Sequence, residues 1–140
     1  MEKQKYIIFT TITLFFLPLV LFSCGSNGYL NNKERVELQL IVKRAATAQK
    51  QLNTPSLQSA QTVLEVIQDA KPLIQTCVKK APPPHIENLE KVEAAWKKQA
   101  LETMQIGKSR DMQTFYKHLK ETIHLTLELL KKIHEIDNQT

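Results

Sequence analysis

The feature that most constrains this chain is a largely apolar stripe near its C-terminus. Met112, Phe115, Leu119, Ile123, Thr126, Leu130 and Ile133 step by 3, 4, 4, 3, 4 and 3 residues. A strand repeats every two residues, whereas a helix brings residues three and four apart onto one face. A striped helix cannot cover its own apolar face, so other elements of the chain must pack against it.

Three upstream segments repeat the pattern. Between residues 33 and 52, Leu38, Ile41, Ala45, Ala48 and Leu52 form one stripe, with Val36, Leu40 and Val42 widening it and Asn32 as N-cap. Asn53-Thr54-Pro55 stops that helix; Thr54 as N-cap and Pro55 at the first helical position open the next. The second helix carries two adjacent seams. One holds Leu57, Ala60, Leu64, Ile67, Ile74 and Val78, the other Val63, Val66, Ala70, Leu73 and Cys77. Two seams predict a helix buried over much of its circumference, with Cys77 in the core. Pro72 lies inside it and predicts a kink or short break, because proline lacks the amide donor and crowds the preceding turn.

Ala81-Pro82-Pro83-Pro84 ends the second helix, and Pro84 suits the first position of a third. That helix runs to about Ile106 with Ile86, Leu89, Val92, Trp96, Ala100 and Met104 inward, and Gly107 fits the position just past its end. Ser109 is the expected cap of the fourth helix. Asp111 falls in its first turn and Lys131 and Lys132 in its last turns, as the helix dipole favours. Four helices with short connections predict an all-α, up-down-up-down four-helix bundle over residues 33–140. The rival is a three-helix arrangement in which Pro72 and the proline run leave the second segment irregular.

The N-terminus follows a different logic. A short charged start with Lys3 and Lys5 precedes 16 uncharged residues, 7–22, and the stretch closes on Leu21-Phe22-Ser23-Cys24. A spanning helix needs roughly 20 apolar residues, so this run is short for one. The ending resembles the lipobox of bacterial lipoprotein signal peptides, and the resemblance covers residues 1–24. It implies a signal peptide over 1–23 cut between Ser23 and Cys24, and a diacylglycerol on the Cys24 sulfur. It also implies a protein anchored by lipid to the cell membrane or outer membrane, outside the cytoplasm. One acyl chain holds only marginally, at about 0.8 kcal/mol per buried methylene, and two or more anchor stably. An uncleaved N-terminal span is the alternative, and it too places the domain outside the cytoplasm. Residues 24–32, the lipidated cysteine and a turn-rich stretch, read as a flexible tether of about 15 Å reach.

Charge narrows the partners. The chain carries 19 basic and 14 acidic residues; with Glu2, Lys3 and Lys5 removed with the leader, the net charge is +4. That is too dilute for a nucleic-acid binder and suits an anionic envelope surface. Cys24–Cys77 is the one disulfide two cysteines allow. Lipidation of Cys24 would leave Cys77 as a buried apolar residue.

The search for chemistry yields no catalytic, cofactor-binding or metal set. His118, His124 and His134 are six and ten residues apart, and His85 sits beside the prolines, so no two share a helical face at ligand spacing. Haem-attachment, phosphate-loop and zinc-protease motifs do not occur. The expectation is a non-enzymatic module without a cofactor, held to the membrane through Cys24 and acting on another envelope protein. The alternative, from a different class, is a small-ligand or metal carrier with a pocket around Trp96, Met104, Met112 and His118.

Overall fold

A computed structural model describes residues 28–140, so the leader, Ser23 and Cys24 lie outside the described residues. Within them the chain forms four helices and no strand: α1 (Asn32–Gln51), α2 (Leu57–Lys79), α3 (Pro83–Gly107) and α4 (Met112–Gln139).

The helix starts are chosen by side chains that satisfy exposed amides. Asn31, one residue before the expected cap, takes the Glu34 amide on Oδ1 at 2.8 Å, and Glu34 returns a carboxylate oxygen to the Asn31 amide at 3.0 Å. Ser56 and Ser59 form the equivalent pair at α2, so that helix opens after Ser56 and not at Thr54-Pro55. At α4 the cap is Asp111 in place of Ser109; its Oδ1 accepts from the Thr114 amide at 3.1 Å, and Ser109 instead donates to the Ile106 carbonyl. No side chain caps α3. Pro83 and Pro84 fill its first turn, and prolines there have no amides left to satisfy.

Three further expectations are corrected. α2 runs unbroken through Pro72, which rules out the irregular second segment and the three-helix rival. Gly107 is the last residue of α3 and has no left-handed backbone; the cap is Lys108. α4 extends to Gln139, so Lys131 and Lys132 lie short of its final turn, which holds no basic residue.

Cross-links give the directions. α1 and α2 meet through Arg44–Asp69 at 2.8 Å in their middles and Glu34–Lys80 at one end, which only antiparallel helices allow. Trp96–Thr126 and Thr103–Thr122 do the same for α3 and α4. Arg35, at the start of α1, meets Asp137 at the end of α4. The bundle is therefore up-down-up-down, as the sequence predicts. α4 touches all three other helices, whereas α1 and α3 sit on opposite sides of it without contact.

The core has two parts along the bundle axis. Near the start of α1, all four helices contribute, among them Leu38, Ile74, Cys77, Leu89, Trp96, Leu130 and Ile133. In the other half the buried apolar residues come from α1, α2 and α4 alone, including Ala45, Ala48, Val63, Phe115, Leu119 and Ile123. α3 buries only Leu89, Trp96 and Thr103, seven residues apart, a seam too narrow to serve two neighbours. It spends that seam on α4 and meets α2 sparsely.

Candidate functional site

The narrow seam of α3 opens a groove of about 280 Å³ between α2 and α3, floored by α4. Leu64 and Ile67 line it from α2, Ala100, Met104 and Gly107 from α3, and Phe115 from α4. Gly107 matters here for space. A Cβ at this position would stand 2.8 Å from Phe115 Cε2, so glycine lets the aromatic ring lie against the end of α3. Lys108 and Gln68 bring polar groups to the groove. Leu101 and Met104, both more than half exposed, extend the apolar surface on that side of α3.

Thr103 and Thr122 form the polar part of the floor, and their hydroxyls are already engaged. They lie 2.7 Å apart; Thr103 also reaches the Gln99 carbonyl at 2.8 Å and Thr122 the His118 carbonyl at 2.8 Å. Each hydroxyl has one hydrogen, and a backbone carbonyl is in reach of each. The floor therefore offers little to a polar ligand. Four residues from Thr122, Thr126 accepts from the Trp96 indole at 2.8 Å. By helical spacing Glu93 shares the face of α3 that holds Ala100 and Met104. Its Oε1 pairs with Lys97, whereas its Oε2 is buried without a hydrogen-bond partner.

The residues expected around a carrier pocket are not gathered into one. Trp96 is buried as a strut between α3 and α4. Met104 lines the groove, but Met112 and His118 do not. His118 instead sits 3.3 Å from the Gln99 amide nitrogen, His124 3.2 Å from Glu128, and His134 3.1 Å from Asn138. Among the described residues, no group of three or more His, Cys, Asp or Glu side chains is placed to hold a metal ion.

A second polar cluster, unsuspected from the sequence, closes the end of the bundle where α1 starts. The Asp137 side chain is 1% exposed and accepts from Arg35 Nε at 2.6 Å and from the Leu30 amide at 2.9 Å. Burial alone would raise this carboxyl; the guanidinium and the amide outweigh it and hold it below the usual range. Glu34 shows the same balance, with Lys80 and the Asn31 amide prevailing over burial. Cys77 is wholly buried, and loss of solvent pushes its thiol up to about 12. Such a thiol is a packing group and not a nucleophile. Tyr29 donates to the Cys77 carbonyl at 3.1 Å, and its own burial raises the phenol above its ordinary value.

In the sequence Leu64, Ala100 and Phe115 look like plain core, and the residue that signals the groove is Thr103. A polar residue seven past Trp96, with glycine four further on, marks where the seam of α3 stops supplying bulk. Val36 and Leu40, expected to widen the buried face of α1, are exposed at 57% and 55%. Among the described residues no helix is long and apolar enough to cross a membrane. Set against known protein families, curated proteins and solved structures, the chain matches none of them.

Proposed function

We propose that this protein is a lipid-anchored lipoprotein of the bacterial cell envelope whose helical bundle acts by contact with another envelope protein, without catalysis of its own. The leader ending in Leu21-Phe22-Ser23-Cys24 supports the anchor. The observation that carries the contact role is the groove between α2 and α3, apolar along its walls and continued outside by Leu101. At about 280 Å³ it falls just below the usual range for drug-sized ligands, ~300–1,000 Å³. Its open shape suits the side chains of a partner helix laid between two splayed helices.

A photo-crosslinking residue at Met104 in intact cells tests this. A discrete heavier species containing a second protein is expected, and recovery of the monomer alone would count against the reading. Mass spectrometry of membrane-extracted protein, wild type beside Cys24→Ala, tests the anchor through the acyl mass on residue 24.

The groove also supports a second reading, a carrier for a small apolar molecule. Release of such a molecule on solvent extraction of purified protein favours it. Clean extracts, with no thermal shift from aliphatic or aromatic probes, would end it.

A further inference from the structure

The stretch expected to be a loose tether is docked at its far end. Leu30 is 3% exposed, its amide donates to Asp137, and Tyr29 bonds the last turns of α2 through the Cys77 carbonyl. Gly28 lies so close to Arg35 and Asp137 that a side chain there would overlap both. Residues 28–30 thus form a strap seated between the end of α2, the start of α1 and the end of α4.

Only Gly25, Ser26 and Asn27 then separate the strap from Cys24. Four residue steps span at most about 14 Å when fully extended. α4 has 28 residues and, at 1.5 Å each, is about 42 Å long. The available chain is therefore a third of the bundle's length, too short to let the bundle invert and stand on its opposite end while the strap stays seated. We infer that the end formed by the start of α1, the Lys79–Pro84 elbow and the end of α4 is apposed to the lipid surface. With the bundle upright on that end, the half that carries Phe115, Gly107 and the groove stands away from it. This rests on the anchoring reading above, and it assigns the groove to partners outside the headgroup layer.

The test uses the acylated protein, extracted and reconstituted in phospholipid vesicles. Fluorophores are placed through Lys79→Cys at the strap end and Arg110→Cys at the opposite end; buried Cys77 is not expected to label. Energy transfer to a headgroup-bound acceptor should be several-fold more efficient from position 79 than from position 110. Equal transfer with the acyl mass present on Cys24 overturns this inference and leaves the anchor standing. Absence of the acyl mass overturns the anchor and this inference together. Gly28→Leu should unseat the strap and shrink the difference while helicity is retained; Tyr29→Phe, a milder change, serves if that variant does not fold. An unchanged ratio in Gly28→Leu would overturn the role given to the strap.

Discussion

The indole nitrogen of Trp96 donates to Thr126 Oγ1 at 2.8 Å, and both residues are buried at the α3–α4 contact. Thr126 stands in the stripe where its neighbours are Ile123 and Leu130, so a hydroxyl there is a cost unless it has work to do. It accepts from the indole and donates to the Thr122 carbonyl at 2.7 Å. Through this bond the narrow seam of α3 is held in register on α4.

Thr126→Val keeps the shape and removes the acceptor. The stranded indole N–H should lower stability by about 1–3 kcal/mol. Urea unfolding followed by the emission of Trp96 measures it, and an unchanged midpoint would show that the bond has no structural role.

Acid should weaken the strap end of the bundle. Asp137 and Glu34 have ordinary values of 3.8 and 4.5, and both are lowered in the folded protein. A lowered carboxyl stabilises the fold above its unfolded value, and that contribution is lost as pH falls through the folded value. Stability should therefore hold steady at neutral pH and decline from about pH 4.5 downward. Asp137→Asn should cost about 1.5–3 kcal/mol near neutrality, the range for a hydrogen bond to a charged group, and flatten the acid decline. A variant with the wild-type acid profile would remove Asp137 from this account.

Cys77 should be silent in the folded state. An aromatic disulfide reagent near neutral pH is expected to leave Cys77 unmodified until urea is added, with modification read by peptide mass at residue 77 so that Cys24 is not counted. Rapid modification of native protein would contradict the wholly buried position of its side chain.

Gly107→Ala sets two effects against each other. Alanine gains up to ~1 kcal/mol of helix propensity in a helix interior, and less at the last helical residue. Its Cβ would meet the Phe115 ring at 2.8 Å, and overpacking typically costs about 1–3 kcal/mol. A net loss of stability, with the groove disturbed, is expected from thermal unfolding. A higher midpoint would mean that the ring shifts without penalty.

Pro72→Ala should stabilise the protein. α2 is continuous at Pro72, which is exposed and has no amide to offer the Gln68 carbonyl. Restoring that donor and the alanine propensity should raise stability, by up to about 3 kcal/mol if the helix is unstrained in both forms. A drop in the melting midpoint would show that proline is required there.

The sequence alone is enough to read four helices in the described chain and the central buried stripes of α1 and α4. It is not enough for the inner faces of α2 and α3 in full, since Leu57 and Met104, expected inward, are exposed. Leu38, Ile41, Ala45, Ala48 and Leu52 are all buried as their spacing required, and so are the inner residues of α4 from Phe115 to Ile133. Periodicity and stop signals are properties of neighbours in the chain, so they can be read without a fold. Tertiary structure decided which of several adjacent caps wins, and that Val36 and Leu40 face solvent. It also decided that Tyr29 and Leu30 belong to the packed domain. Asp137 and Arg35 are 102 residues apart, and no local pattern announces that the end of one helix will receive the start of another. The groove has the same origin: it exists because α3 leans on α4, and a helix's lean is set by what its partners leave room for.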